Sequence, residues 1–517
     1  MYCNKVFNII FFLLCTFMCF THLPERYCVS GFLFGILRIK LIIYPVVAGM
    51  VYTAYCVRKS ELICADWGIF KRYILIYAVL SVISIVVGLV NFPYYDVIYQ
   101  TSMEQFQKFM ILCRWLGNMG IDVSERGLLP FWMFLRYVKG FCVNTFFTFG
   151  IAYMVYCWYV DDWKCGFKVM GYGCLTGLAI VLPYGILDIL YLAHCQVGED
   201  FLTILNPCVH PVMMDGGWWP HMFLNAFRSL FCEPSFFGMW SAVSLPFVWY
   251  QCLCLKFGKK WLLFLVMNVH FSFCLFLSNS RTCIGILLIE LMAMIVALLW
   301  QRNFDWLKKC SVIIVGVIFA FGLNVGFQCK FMHSDTGVFS VTQNYIDQNI
   351  KTISYANKGR SNSQRWAVIQ SDISLFADHP FFGVGQGLSR FYVYDYLPKD
   401  AFQNWEVQYW HKRTKEYGIM KNAFPALSEY PYMLAQLGIF AGFVHYLPLL
   451  MLIYKFLSML WYRQFTLEHL TLGLALLGTV ITGLNDTFNH VGWIWILYGI
   501  CFAMFYGKDN ESVKGKD

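Results

Sequence analysis

Residues 72–92 read RYILIYAVLSVISIVVGLVNF, and the one charged side chain in this stretch is Arg72, at its first position. An α-helix rises about 1.5 Å per residue, so roughly 20 apolar residues are needed to cross about 30 Å of hydrocarbon. This stretch meets that requirement by itself. Comparable apolar runs recur along the chain between Val6 and Tyr506. The sequence therefore predicts a helical membrane protein that crosses the bilayer many times.

The overall composition points to the same class. Of 517 residues, 59% are hydrophobic, 19% aromatic and 13% charged, whereas a soluble domain carries about 25% charged residues. Because the shortage of charge extends over the whole chain, it excludes a soluble enzyme with a single anchor and a disordered chain. The alternating pattern of a membrane barrel is absent, which leaves helices as the spanning structures.

The predicted fold is an all-α polytopic membrane protein, a single domain over residues 1–517, with about 12 transmembrane helices. The spans lie near 6–20, 32–57, 72–92, 141–160, 169–195, 235–255, 261–277, 282–300, 311–328, 431–455, 469–485 and 490–506. The first span is short, but no small-residue cleavage site of a signal peptide follows it. Arg38 and Lys40 interrupt the second span. The stretch 128–140 has the composition of an interfacial or re-entrant segment.

The distribution of Lys and Arg predicts the orientation, because short cytoplasmic loops are enriched in these residues. With the amino terminus inside, they collect in the predicted inner segments and in the carboxyl-terminal tail, while the short outer loops hold only Arg26 and Arg281. Both termini are therefore expected in the cytoplasm. The net charge of +9 is mainly this topology signal, and it does not indicate nucleic-acid binding.

Three long segments fall on the predicted outer side, at about 93–140, 196–234 and 329–430. Long loops without structure are uncommon unless they are functional. The last segment, between spans 9 and 10, contains several Trp and Phe residues and is expected to form a partly helical outer subdomain. Within it, the apolar residues of 364–377 predict an amphipathic helix lying on the membrane. The outer face is where this pattern places the function.

Four short motifs on the outer side carry polar groups suited to chemistry. The first is Arg228 followed by Glu233-Pro234-Ser235, where the arginine could anchor the chain at the interface or grip a phosphate. The second is the turn from Ser278 to Arg281, in which an arginine contradicts the orientation rule. Its alternative reading is a helix start capped by Ser280.

The third and fourth motifs lie in the large outer segment. Arg360 precedes the predicted amphipathic helix, and Arg365 lies in its first turn. The helix is followed by His379-Pro380 and by three glycines at alternate positions, namely Gly383, Gly385 and Gly387. Glycines allow a ligand to approach the backbone closely or allow a tight turn. No strand–helix unit surrounds them, so they are not a dinucleotide fingerprint.

These four motifs, in this order, resemble the O-antigen polymerase and O-antigen ligase family of bacterial GT-C-like membrane glycosyltransferases. The segment from Tyr432 to Gly442 is also similar to the family's span after its large outer loop. The resemblance covers roughly residues 220–445. It implies attack by a sugar hydroxyl on the anomeric carbon of a glycan carried on polyprenyl diphosphate, at the outer face of the inner membrane. It also implies a lipid-linked donor and acceptor, membrane lipid and a chain-length regulator as partners.

The leaving lipid diphosphate gains negative charge, so this reaction needs cations placed in advance. Arginine suits that task because it stays charged and binds phosphate with two hydrogen bonds. This argument selects Arg228, Arg281 and Arg365 as catalytic residues and Arg360 as a substrate-binding residue. The resemblance adds Glu233, from the first motif, as a catalytic residue. The one pair of acidic residues two positions apart, Asp509 and Glu511, lies in the cytoplasmic tail. No metal and no other cofactor are therefore expected.

Ligases of the family carry a His-Asn pair before the span that follows the large loop, but this chain has Ser428-Glu429-Tyr430 there. The departure favours a polymerase, with Glu429 or His379 as the general base. A ligase or another polyprenyl-linked glycan transferase is the alternative. A transporter or flippase of lipid-linked sugars fits less well, because transporters are often built from repeated halves and no repeat is visible.

Gly383, Gly385 and Gly387 are assigned to substrate binding, together with further polar residues. Asp188 lies inside the fifth span, where acids are functional candidates. Asp486 and His490 flank the last outer turn and could line a glycan groove or cap helices. His210, Asp215 and His221 are spaced too loosely to predict a metal site.

Overall fold

The structure is a computed structural model that describes residues 4–20, 24, 41–62, 64–100, 104–121, 124–210, 222–223, 225–332, 337–349, 362–420, 424–488 and 492–507. Over these residues the regular secondary structure is entirely helical. Arg360 and His490, both assigned to substrate binding, lie outside the described residues, as do Asp215 and His221.

The helices of the membrane part follow the predicted spans closely. They are α1 Lys5–Phe17, α2 Ile43–Arg58, α3 Trp67–Val90, α6 Glu125–Thr145 with α7 Ile151–Tyr159, α8 Trp163–Leu192, α10 Pro234–Cys254, α11 Lys259–Leu277, α12 Arg281–Gln301, α13 Phe304–Phe327, α18 Glu429–Trp461, α19 Leu467–Thr482 and α20 Trp493–Tyr506. The start of the second predicted span lies outside the described residues. Each predicted span overlaps one helix of this series.

Among the described residues, seven helices are long and apolar enough to cross a membrane: Trp67–Val90, Glu125–Tyr159, Trp163–Leu192, Lys259–Leu277, Arg281–Gln301, Phe304–Met332 and Glu429–Trp461. Shorter apolar helices accompany them at Lys5–Phe17, Leu467–Thr482 and Trp493–Tyr506. The prediction of an all-α polytopic membrane protein is confirmed. The number of about 12 spans stays a prediction.

The prediction of an interfacial or re-entrant segment at 128–140 is wrong. These residues belong to helix α6, which runs through a π-helical turn, Phe146–Gly150, into α7. Pro130 is the sixth residue of α6 and cannot donate a hydrogen bond to the carbonyl of Arg126, but the helix continues beyond it to Thr145. The predicted fourth span is thus only the second half of a longer helix.

The predicted outer segments contain further helices, namely α4 Tyr95–Tyr99, α5 Glu104–Asn118, α9 Gln196–Val209, α14 Val338–Asn349, α15 Asn362–Asp378, α16 Ser389–Tyr396 and α17 Trp405–Tyr417. A 3₁₀ helix, Lys399–Gln403, joins the last two. We call α15 to α17 the outer subdomain, and the end of the bundle that carries it the outer end. The subdomain has a small apolar core of its own around Val368, Val393 and Val407.

Helix α15 also corrects the expectation of a helix lying on the membrane. Ala367, Val368 and Leu375 are buried, and so is the polar Ser371 on the same helix. The helix packs on both α16 and α18. Most of its apolar side chains are therefore covered by protein, although Ile373 is 47% exposed.

Helix α10 lies at the centre of the bundle and packs on α8, α11, α12 and α19. Small residues let these helices approach closely, as is typical of helix pairs in membranes. At Gly238 in α10, an added Cβ would overlap with Cys283 of α12. This close contact fixes how the beginnings of α10 and α12 sit relative to each other.

Candidate active site at the outer end

Three helices of the bundle meet at Gly478 of α19, Ala242 of α10 and Glu290 of α12. A Cβ at Gly478 would lie 2.8 Å from Cβ of Ala242 and 3.0 Å from Cδ of Glu290. The first residue of α10 lies about 12 Å along the helix from Ala242, and the first residue of α12 lies about 14 Å from Glu290. Helix α19 ends at Thr482, about one turn beyond Gly478. The beginnings of α10 and α12 and the turn after α19 therefore lie together at the outer end.

Two of the predicted site residues, Glu233 and Arg281, are neighbours there. Glu233 directly precedes α10, and Arg281 is the first residue of α12. The thiol of Cys283 lies 3.3 Å from the carbonyl oxygen of Pro234, which joins the two helix starts directly. The side chain of Ser280 makes no capping hydrogen bond, so a capping turn does not explain this motif. Both Glu233 and Arg281 are half-buried.

Arg228 has different surroundings, since only 2% of its surface is exposed. Its Nη1 donates to the carbonyl of Cys232 at 3.2 Å, and its guanidinium lies 5.3 Å from the ring centre of Phe223. Burial lowers the pKa of Arg228, and the nearby carboxylate of Asp188 opposes that shift. The arginine thus braces the turn that leads into Glu233.

Asp188 is part of the same arrangement. Its Oδ2 accepts the backbone N–H groups of Arg228 at 2.8 Å and Ser229 at 2.9 Å. Ser229 has a φ of 52°, a left-handed conformation that a non-glycine residue adopts only when its surroundings hold it. The intramembrane acid therefore has a structural partner in the 228–229 backbone, which the sequence did not indicate.

His210, near Arg228, has an unusual environment. Its side chain is buried, and neither ring nitrogen has a hydrogen-bond partner among the described residues. Burial and the positive charge of Arg228 lower the pKa of His210 to about 3. The ring is therefore neutral at physiological pH. Within the described part of the chain, no three His, Cys, Asp or Glu side chains cluster as metal ligands.

A second group of predicted site residues meets at the turn of residues 483–488, between α19 and α20. Arg365, from α15, donates from Nη1 to the carbonyl of Asn485 at 3.1 Å. Asp486 lies in the same turn, where its Oδ1 accepts the N–H of Thr487 at 2.7 Å. Arg365 and Asp486 are thus brought together from positions about 120 residues apart.

Glu429, the first residue of α18, holds this turn from the other side. Its backbone N–H donates to the carbonyl of Gly483 at 2.8 Å, and its Oε2 accepts the N–H of Phe488 at 2.9 Å. Its Oε1 lies 3.5 Å from Nε2 of His445, whose Nδ1 is 3.1 Å from the hydroxyl of Tyr77. Glu429 is buried. The sequence did not reveal His445 and Tyr77 as its partners, because both lie within apolar spans.

His379 and the three glycines lie elsewhere. His379 follows the end of α15, about four helical turns or 21 Å from Arg365. Its ring centre is 6.4 Å from that of Tyr392. The structure therefore does not bring His379 together with the arginines.

The glycine run packs on a break in α18. At Gly438 the backbone has φ 65° and ψ −173°, which interrupts the helix. The residues before and after the break bond to the run: Val384 N–H donates to Ala435 at 2.9 Å, Gly385 N–H to Gln436 at 2.9 Å, and Ile439 N–H to Pro380 at 2.8 Å.

The glycines themselves are approached closely by protein. A Cβ on Gly383 would overlap with the backbone of Gln436, one on Gly385 would lie 3.3 Å from the α3 backbone at Ile85, and one on Gly387 would lie 2.8 Å from the ring of Tyr137. All three have positive φ values. Because these glycines have no side chains, the run can pack tightly between α3, α6 and α18. This packing accounts for the three glycines without a ligand.

The outer subdomain holds one more unusual group that the sequence did not indicate. Asp372 of α15 is 1% exposed, and neither carboxylate oxygen has a hydrogen-bond partner among the described residues. Burial raises the pKa of Asp372 to about 8, although the positive charge of Arg390 on α16 opposes this shift. At neutral pH the carboxyl is therefore mostly protonated.

Comparison with known families gives a match to part of the region just described. Residues 266–446 match the model of the Wzy_C family, described as O-antigen ligase. No curated protein matches the chain. The matched range begins in α11 and includes Arg281, Arg365, the glycine run and the first half of α18 with its break. Over residues 266–446, this polytopic membrane protein is therefore similar to the O-antigen ligase family.

Proposed function

We propose that the protein is a polysaccharide polymerase of the O-antigen type. It transfers a glycan from a polyprenyl-diphosphate carrier onto an acceptor repeat unit at the outer face of the bacterial inner membrane, with both termini in the cytoplasm. The observation that carries this proposal is the placement of Arg281 and Arg365 at the outer end, within the segment that matches the family. A chain-length regulator is a further proposed partner.

In the proposed reaction, the acceptor hydroxyl oxygen attacks the anomeric carbon of the donor. The bond from that carbon to the diphosphate oxygen breaks, and the lipid diphosphate leaves with the electron pair. Arg281 and Arg365 stabilise the growing negative charge through paired hydrogen bonds. The first turns of α10 and α12 support them, since the amino-terminal end of a helix carries a partial positive charge. No metal takes part in this proposal.

The proton of the acceptor hydroxyl needs a base, and we assign this role to Glu233. It is half-buried and lies beside the start of α12. Glu233 accepts a hydrogen bond from Ser235 at 3.3 Å. Glu429 is instead a positioning residue, because its carboxylate is buried and faces both Phe488 and His445. His379 is too distant from Arg365 to act on the same sugar. Arg228 and Asp188 position the turn before Glu233, and Gly383, Gly385 and Gly387 position the outer subdomain.

A purified enzyme tests the proposal directly. The full chain in detergent, given only polyprenyl-diphosphate-linked repeats, should yield a ladder of products that differ by one repeat. A chelator should leave the ladder unchanged. Detergent removes the separation between compartments, so a flippase would give no new covalent product.

A ligase is the second candidate, because the matched family is described as O-antigen ligase. The same preparation separates the two. Transfer of one glycan to a lipid A–core acceptor, with no ladder from repeats alone, would replace the polymerase proposal with the ligase. No covalent product with either acceptor would reject both.

The choice of Glu233 as base predicts the behaviour of two variants. Glu233→Gln should lower kcat by about 10²–10⁴-fold and remove the acidic limb of the kcat–pH profile, because a general base contributes that much. Glu429→Gln should lower the thermal unfolding temperature in detergent and keep that acidic limb. A Glu233→Gln enzyme with the wild-type kcat and pH profile would contradict the assignment.

A further inference from the structure

A cavity of about 400 Å³ opens in the outer subdomain. Its volume is within the range of roughly 300–1,000 Å³ that is typical of small-molecule sites. Three parts of the chain form its walls: the segment 94–100 after α3, helix α16, and the end of α17 with Gly418, Ile419 and Phe424. Neither Arg281 nor Arg365 lines it.

Aromatic rings make up much of the wall. Tyr94, Phe391 and Tyr394 all line the cavity. Tyr394 stacks on His411 with ring centres 4.2 Å apart and is nevertheless 40% exposed. Rings of this kind offer an apolar face and a polar hydroxyl, which suits a ligand with both characters, such as a sugar.

The charged groups in the wall are mostly positive. Arg390 and the exposed Lys415 both line the cavity. The one acidic group in the wall, Asp395, accepts a hydrogen bond from the hydroxyl of Tyr94. Burial and the neighbouring Lys415 lower the pKa of His411, so its ring is neutral at physiological pH. A negatively charged ligand in the cavity would therefore face two positive side chains and one carboxylate, which already accepts a hydrogen bond from Tyr94.

Arg390 is available to such a ligand. Within the described part of the chain it donates one hydrogen bond, from Nε to the carbonyl of Phe424 at 2.9 Å. This leaves the Nη groups of its planar fork for another acceptor. The buried Asp372 interacts with the charge of Arg390, but burial raises the pKa of Asp372 to about 8, so at neutral pH its mostly protonated carboxyl does not neutralise Arg390.

We propose that this cavity binds an anionic sugar residue of the glycan, with Arg390 and Lys415 holding its carboxylate or phosphate and Tyr394 packing on its ring. The proposal rests on the proposed function, because it supplies a glycan subsite for the same reaction. Asp372, behind Arg390, lies two helical turns from Arg365, about 10 Å along α15. One repeat unit therefore occupies the cavity while its lipid diphosphate reaches Arg365 on the neighbouring helix.

Calorimetric titration of the full chain in nonionic detergent tests the site without any transfer reaction. Three probes are used: a tetrasaccharide of alternating glucuronate and N-acetylglucosamine, the same tetrasaccharide with its carboxylates reduced to alcohols, and a glucose tetrasaccharide phosphorylated at O6. We expect the reduced probe to bind about tenfold or more weakly than an acidic one, because it loses charge-assisted hydrogen bonds. The tighter of the two acidic probes identifies the anion.

Variants localise the binding. Lys415→Gln and Arg390→Gln should each weaken the better acidic probe about tenfold or more. Lys412→Gln is the matched control, since Lys412 is exposed on the same helix and pairs with Glu416 at 3.7 Å, and its variant should bind as the wild type does. Equal affinity for the acidic and reduced probes, no binding of any probe, or equal losses in Lys415→Gln and Lys412→Gln would overturn the site.

This result is independent of the polymerase test. Binding of the acidic probe without a product ladder would reject the polymerase and keep the glycan site. A ladder without preference for the acidic probe would reject only the site.

Discussion

Arg281→Ala and Arg365→Ala should each abolish the product ladder. Removing one preorganised group that stabilises transition-state charge typically costs about 10²–10³-fold in kcat, which puts the variants below detection in a gel assay. Single-turnover transfer from a radiolabelled polyprenyl-diphosphate-linked repeat measures the residual rate. The loss should appear in kcat more than in KM, because the leaving diphosphate gains charge as the reaction proceeds.

Two further variants make this result specific. Arg281→Lys keeps the charge but loses the planar fork, so it should retain part of the activity. Arg126→Ala is the matched control, because Arg126 is an exposed arginine in the first turn of α6, also towards the outer side, and its loss should leave kcat unchanged. Wild-type transfer by folded Arg281→Ala and Arg365→Ala proteins would exclude both arginines from catalysis.

The second large effect is expected in folding, for Gly438→Ala. The φ of 65° and ψ of −173° at this residue belong to a region that essentially only glycine adopts. Forcing another residue into it costs on the order of 1–3 kcal/mol, and the new Cβ would also overlap with the backbone of Phe381. The variant should unfold several degrees lower in detergent, and protease should cut its outer subdomain faster.

Gly442→Ala is the control for that comparison. Gly442 lies one turn further along α18, and its added Cβ would meet only the flexible side chain of Leu434, at 3.0 Å. Alanine also has the higher helix propensity, so this variant should be close to neutral. If the two variants unfolded at the same temperature, the break in α18 would not be what holds the outer subdomain.

The break in helix α18 could not be predicted from the sequence. Gly438 lies inside a predicted span, and a glycine in an apolar run usually continues the helix. What breaks it is the pairing of residues 435–439 with 380–385, across more than fifty residues of chain. Nothing local in either segment indicates that pairing. The glycine run was predicted to bind substrate, yet Gly383 and Gly385 meet protein backbone in the structure.

The site was predictable only in part, because local sequence features identify single residues but not the distant residues that they meet. Arg281 stood out because it contradicts the orientation rule, and the structure places it at the outer end beside Glu233. Arg365 stood out by its motif alone, and only its bond to Asn485 connects it to the last outer turn. The buried Asp372 gave no signal, since an acid on an outer helix is ordinarily solvated.

The sequence by itself determined the class of this protein, because crossing a membrane is a local requirement. A stretch such as residues 72–92 must satisfy its own backbone hydrogen bonds and match the hydrocarbon, whatever the rest of the chain does. The tertiary structure alone decided which polar groups share a site, since that depends on contacts between distant residues. It brought Arg365 and Glu429 to one turn, set His379 apart from them, and used the three glycines for docking, because backbone can approach backbone only where no side chain intervenes.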